Sequence, residues 1–200
     1  MPDFYIERAF VTLTAADERA LSRRLESCAR SYPVRWHKCL VDGARTRILC
    51  HLEAESLPAA RAAALCLGVT RDGVWLSAVP WAPAIGIADS DPATTGEPHS
   101  QATSGTPGWT PATRDADLVH VMAEWQLNTP TDALDFARAQ NVCDWCLDTL
   151  RVRPESVAST ADGRRVVTFF CAPDAESVRN AYRYATVPFD RVTALRRLNR

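Results

Sequence analysis

What most constrains the fold of this chain is that it repeats itself. The segment ILCHLEAESLPAARAAALCLGVTRDGV (48–74) aligns without a gap to VVTFFCAPDAESVRNAYRYATVPFDRV (166–192), pairing Ala54 with Ala172, Arg61 with Arg179 and Val74 with Val192. Upstream, Asp42-Gly43 corresponds to Asp162-Gly163, Cys28 to Cys143 and Asp17 to Asp132. Between the copies, residues 83–116 are dense in Pro, Gly, Ser and Thr and lack apolar periodicity, so burial cannot offset the entropy of ordering them. The chain thus divides into a first copy (1–82), a flexible linker (83–116) and a second copy (117–200).

Each copy reads strand, helix, hairpin, helix, strand. FYIERAF alternates as a strand does, and Thr14 can cap a helix whose Leu21, Leu25, Cys28 and Tyr32 recur at helical spacing. VRWHKCLV and TRILCHLE form a hairpin turning at Asp42-Gly43-Ala44-Arg45. Ser56 caps a second helix, with Pro58 in its first turn and Gly68 just past its end, and VWLSAV closes the unit. The second copy repeats the order with LVHVMAEW, a helix from about Pro130 to Leu150, a hairpin at Asp162-Gly163, a helix capped by Asp174, and DRVTAL. The expected fold class is α+β: two tandem ferredoxin-like βαββαβ domains, each an antiparallel sheet with both helices on one face. The uncovered faces would pair within the chain, giving a monomer with an internal pseudo-dimer of the dimeric α/β-barrel type.

Charge and composition exclude more than they assign. With 23 basic and 24 acidic residues the net charge is −1, which gives no field to attract nucleic acid or an anionic membrane. No apolar run approaches the length of a membrane span, and MPDFYIERAF lacks the pattern of an export signal, so a cytoplasmic protein is expected. Seven cysteines show no paired framework, and the Cys143–Cys146 CxxC spacing has no second pair to complete a zinc knuckle; reduced thiols are expected. There is no nucleophile triad, phosphate loop or nucleotide fingerprint.

The stretch RWHKCLVDGARTRILCHLEA places His37, Cys39, Cys50 and His51 near one another in sequence. A two-residue turn with strict alternation puts His37, Cys39 and Cys50 on one face and His51 on the other. The first face also carries Val41, Ile48 and Leu52 and suits packing under the helices, although a soft His-Cys-Cys metal site stays open there. The opposite, uncovered face gathers Trp36, Lys38, His51 and Glu53, joined by Tyr5 and Glu7 from the first strand and Trp75 and Ser77 from the last. These residues would suit a small-ligand pocket. Corresponding positions in the second copy include His120, Met122, Phe169 and Cys171, a mostly apolar wall.

The chain resembles a small bacterial family of ferredoxin-like domains whose characterised type binds nickel. The resemblance is carried by Glu7-Arg8, Ser27-Cys28, Trp36, the Cys50, Glu53 and Ala54 of a Cys-x-x-Glu-Ala strand end, Arg61, and in the second copy APDAESVRNAY followed by VPFDRV. It implies a non-enzymatic nickel-binding protein; the imidazole and carboxylates of the open face of the first copy, Glu7, His51 and Glu53, are the expected ligands. A second possibility is a cofactor-light isomerase or monooxygenase in which His51 is the general base and Lys38 or Glu7 its electrostatic partner. A third is an interaction module that takes a small aromatic ligand or a protein. The expected partner is a small molecule or a metal ion, with no nucleic acid and no membrane.

Overall fold

The computed structural model describes residues 1–69, 73–80, 117–140 and 144–198. The proposed linker lies outside them. The elements run β1 (Asp3–Ala9), α1 (Ala15–Ser31), β2 (Val34–Asp42), β3 (Arg47–Ala54), α2 (Leu57–Cys66) and β4 (Val74–Pro80). They continue with β5 (Val119–Gln126), α3 (Ala133–Ala139), α4 (Asp144–Thr149), β6 (Arg153–Ser159), β7 (Arg165–Ala172), α5 (Ala175–Tyr184) and β8 (Arg191–Arg197). The helix expected over 130–150 is two short helices, α3 closing at Gln140 and α4 starting at Asp144.

Local chemistry sets the element ends. Thr14 accepts from the Asp17 amide while Asp17 accepts from the Thr14 amide, a reciprocal cap that satisfies two otherwise orphaned donors at the start of α1. Ser56 and Asp174 cap α2 and α5 one way only, each side chain accepting from the amide three residues on. Gly73, at the entry to β4, has no room for a side chain: a Cβ there would lie 2.5 Å from the Glu7 carbonyl oxygen.

The eight strands form one closed antiparallel barrel in the order β1-β3-β2-β8-β5-β7-β6-β4, with β4 returning to β1. Two seams join the halves. Leu40, Val41 and Asp42 pair with Arg197, Arg196 and Leu195, and Leu76, Ser77 and Ala78 pair with Ser159, Ala158 and Val157. Alternation along each strand then separates three cores. Phe4, Ile6, Val41, Ile48, Leu52 and Val74 face α1 and α2, and Val121, Ala123, Val166, Phe170 and Val192 face the helices of the second half. Tyr5, Leu40, Leu49, Trp75, Met122, Val167 and Phe169 fill the barrel itself.

Two expectations are overturned. The first concerns the cysteines: Cys28 is bonded to Cys66, tying α1 to the end of α2, and Cys39 to Cys50, directly opposite each other on β2 and β3. Cys146 is also disulfide-bonded, and Cys171 is the free cysteine among the described residues. Reduced core thiols and a His-Cys-Cys metal site are therefore both excluded at Cys39 and Cys50. The second is the register of β2. Val41, Leu40, Cys39 and Lys38 pair with Ile48, Leu49, Cys50 and His51, but a bulge then shifts the pairing so that Trp36 lies opposite Leu52. An inserted residue reverses the faces of everything beyond it. Trp36 consequently packs on the helix-side core, and His37 turns to the His51 side.

Candidate metal centre

The face expected to be open is the barrel interior, and its polar residues fall into two groups at opposite ends. At one end, Glu7 and Arg47 of the first half meet Glu124 and Arg165 of the second. Arg47 Nη1 lies 3.3 Å from Glu7 Oε1 and 3.1 Å from Glu124 Oε2. Arg165 donates through Nη1 to Glu7 at 2.7 Å and through Nε to Glu124 at 2.5 Å, and its guanidinium stacks over Trp75 at 4.4 Å. Two carboxylates and two guanidiniums balance their charge in a nearly dry setting. Glu7 is thus committed to arginines and does not join His51 and Glu53 as expected; its side chain is directed to the other end of the barrel.

At the other end lie Asp3, His37, His51 and Glu53. Ligand-capable atoms of Asp3, His37 and His51 all lie within 4.8 Å of one another. His51 Nε2 is 2.9 Å from Asp3 Oδ1, and its ring is sandwiched between Tyr5, stacked at 4.7 Å, and His37, tilted at 4.7 Å. Burial, reinforced by repulsion from His37 and Lys38, outweighs the pull of Asp3 and holds the His51 pKa below the ordinary histidine value. His37 Nε2 lies 3.0 Å from Glu53 Oε1, close enough for charge attraction, yet without the alignment of a hydrogen bond, so this buried nitrogen lacks a hydrogen-bond partner. Two imidazoles and a carboxylate, with a second carboxylate beside His37 Nε2, form a donor set that suits nickel, zinc or copper.

The remaining sequence-selected residues divide between walls and links. Tyr5 is fully buried beside the cluster, while Trp75, equally buried, lies under Arg165 of the other group; burial raises the Tyr5 pKa well above its usual value, which keeps the phenol neutral. The Tyr5 hydroxyl is 2.9 Å from Ser156 Oγ, and its ring stacks on Phe169 at 4.2 Å. Lys38 reaches across the barrel to Glu155 at 2.8 Å. Trp36 is absent from this surface for the reason given above. Asp3 is not among the sequence candidates because it precedes the strand's apolar alternation, and His37, expected to share a face with Cys39 and Cys50, lies on the opposite one because the bulge that turns it inward leaves no mark in the residue pattern.

The second half is not merely an apolar wall. Met122 and Phe169 do pack inside the barrel, but His120, Glu155 and Cys171 also bring ligand-capable atoms within 4.8 Å of one another.

Fold and site together define a mixed α/β chain built on an eight-stranded antiparallel barrel, with two clusters of potential metal-ligating side chains at one end. No protein-family model and no curated protein matches it. Among solved structures, SCO4226 from Streptomyces coelicolor A3(2) matches at 16% identity with a TM-score of 0.32, over 36% of this chain and 90% of that one. A candidate monooxygenase from Lactobacillus acidophilus NCFM matches at 11% identity and TM-score 0.48, over 99% of this chain and 94% of that one. A chlorite dismutase variant from Candidatus Nitrospira defluvii matches at 12% identity and TM-score 0.47, over 98% and 90%. Likenesses at this level carry nothing about ligand or reaction. Among the described residues no helix is long and apolar enough to cross a membrane.

Proposed function

We propose that this protein binds a divalent transition metal, nickel by the family resemblance, through Asp3, His37 and His51. The observation that carries this is the convergence of three donors, one of which, the buried His37 Nε2, has no hydrogen bond of its own. The donors would hold the ion, and Glu53, whose Oε1 lies 3.0 Å from the same His37 Nε2, would stand beside it as a further carboxylate. This set replaces the Glu7, His51 and Glu53 expected from the sequence, because Glu7 is neutralised by Arg47 and Arg165. On this reading the chain is a tandem pair of ferredoxin-like units folded as an internal pseudo-dimer, which the matching strand orders and mirrored bulges of the halves support. The Cys28–Cys66 and Cys39–Cys50 bonds fit an oxidising compartment better than the cytoplasm.

Calorimetric titration with nickel, under non-reducing conditions on tag-free protein, tests the proposal. Wild type should bind, His51→Ala and His37→Ala should lose that binding, and Glu7→Gln should retain it. Unchanged affinity in both histidine variants would refute the site. The enzyme reading draws on one observation, the Asp3–His51 pair with a histidine whose lowered pKa favours the unprotonated form that a general base needs. It requires a substrate to approach His51 with the metal absent, so inhibition of turnover by nickel would separate it from a binding role.

A further inference from the structure

We infer that the second half carries its own, chemically different metal site, made by His120, Glu155 and Cys171 and suited to a thiophilic divalent ion of the zinc type. His120 Nδ1 lies 3.3 Å from Glu155 Oε2 and 3.8 Å from Cys171 Sγ, and the Cys171 thiol donates to Glu155 Oε1 at 3.3 Å. One imidazole, one carboxylate and one thiol therefore face a common point from three adjacent strands, β5, β6 and β7. None is fully buried: His120 and Glu155 expose 24% and 29% of their side chains, which leaves an ion a way in. The free thiol is notable because the other cysteines described here are bonded, so this sulfur alone among them is available as a ligand.

The strand registers give a second, independent support. His120 stands opposite Cys171 on β5 and β7 just as Asp3 stands opposite Glu53 on β1 and β3. Glu155 is the inserted residue of the β6 bulge just as His37 is that of the β2 bulge. The donor positions match between the halves while the donors differ: Asp, His and Glu in one, His, Glu and Cys in the other. Only at the position of His51 does the second half lose a donor, to Phe169. A thiolate in place of a carboxylate shifts preference from harder ions toward zinc, cadmium and cobalt over nickel held by nitrogen and oxygen.

Binding requires that the Cys171 S–H bond break, its proton leaving to solvent as the sulfur–metal bond forms with no change of oxidation state. It also requires that Lys38 yield. Its ammonium sits on Glu155 at 2.8 Å and fills the place of a cation in the free protein. Lys38 thereby opposes the incoming ion by repulsion, and it ties this site to the first cluster, since Lys38 lies opposite His51 on the neighbouring strand.

Cobalt(II) titration of the whole, unreduced protein, followed by absorption, tests the inference. The expected result is a thiolate-to-cobalt charge-transfer band in the near-ultraviolet that saturates at one equivalent. The band should vanish in Cys171→Ser, weaken in His120→Ala, persist in His51→Ala, and appear at least about tenfold lower in free cobalt in Lys38→Met. No such band in the wild type, or a band that survives Cys171→Ser, overturns the site. Loss of the band in a folded His51→Ala would show one shared site instead of two, and would equally overturn the inference. Circular dichroism on each variant keeps misfolding from passing as lost binding, and His120→Ala provides a second, cysteine-preserving variant.

Discussion

Removing Glu124 should reveal how strongly the charge quartet fastens the two halves. In Glu124→Leu, Arg47 and Arg165 share the single carboxylate of Glu7, leaving one uncompensated positive charge where side-chain exposures are 10% for Glu7 and 11% for Arg47. Breaking a buried ion pair from one side costs about 3–5 kcal/mol. For a chain of this size that corresponds to a drop in Tm of roughly 6–20 °C. Arg47→Met should cost less, because Arg47 uses only Nη1 and its Nε and Nη2 are buried without partners, so part of its desolvation is already uncompensated. The double variant is the decisive one. With Glu124 and Arg47 both gone, Glu7 and Arg165 remain as a balanced pair held through two guanidinium nitrogens at 2.7 and 3.2 Å. The double variant should therefore be more stable than the sum of the single losses predicts, with a coupling of about 2–3 kcal/mol. Urea unfolding at neutral pH without reductant, followed by tryptophan fluorescence and aided by Trp75 stacked on Arg165, measures all three. Additive losses, or a loss below about 1 kcal/mol in Glu124→Leu alone, would refute the idea that the four groups act as one balanced unit.

Four further outcomes follow from the same geometry. Because burial holds the His51 pKa below its unfolded value, the folded state favours neutral imidazole; the stability this contributes is present above the unfolded pKa and is lost as pH falls toward the folded one, so His51→Ala should flatten the acid-side decline. Metal affinity at the first site should likewise persist to lower pH than for an ordinary histidine and then fall, and a profile with no acid-side fall while the protein stays folded would remove His51 from the ligand set. Chain-entropy arguments give about 4 kcal/mol for Cys28–Cys66, which closes 38 residues, and about 3 kcal/mol for Cys39–Cys50, which closes 11; paired Cys→Ala variants should destabilise in that order, and no change in Tm on adding reductant would contradict both bonds. Proteolytic cleavage within 83–116 should leave two fragments that co-elute, since the β2–β8 and β4–β6 seams and the Tyr5–Phe169 stack hold them together; fragments that separate while folded would refute that.

Much of the local structure was legible in the residues. Thr14, Ser56 and Asp174 announce their helices because a side-chain oxygen ahead of an apolar-periodic run has one evident use, the orphan amides of the first turn. Alternation placed Phe4, Ile6 and Val74 toward the helices and Tyr5 and Trp75 on the other face. What was not legible depends on partners distant in sequence. Glu7 reads equally well as a metal ligand or an ion-pair partner until Arg165, 158 residues away, is brought to it. Cys28 and Cys66 lie on different helices, and nothing in their spacing says those helices bring the sulfurs together. The first helix of the second half looked continuous because capping at Asp132 predicts where a helix begins and says nothing about how long tertiary packing lets it run.

The bulges deserve most of the explanation, because they make the site. A strand that alternates strictly offers one side chain to the barrel every second residue; an inserted residue offers two in succession. On β2 the two are His37 and Lys38, both set against His51, and on β6 they are Glu155 and Ser156, both set against Phe169. In each half the first residue of the pair joins the cluster of its own half, His37 beside His51 and Glu155 beside His120. The second reaches into the other half, Lys38 to Glu155 and Ser156 to the Tyr5 hydroxyl. One inserted residue thus supplies both a potential ligand and a crosslink, and it does so twice at the same end of the barrel. Deleting His37 would restore strict alternation with Trp36 still opposite Leu52 on the helix side, and would remove a donor from the first cluster without turning the rest of the strand over. His37→Ala, which keeps the bulge and the Lys38 crosslink, should lose the metal and leave the fold almost untouched, and equal loss of stability and binding in that variant would mark His37 as structural.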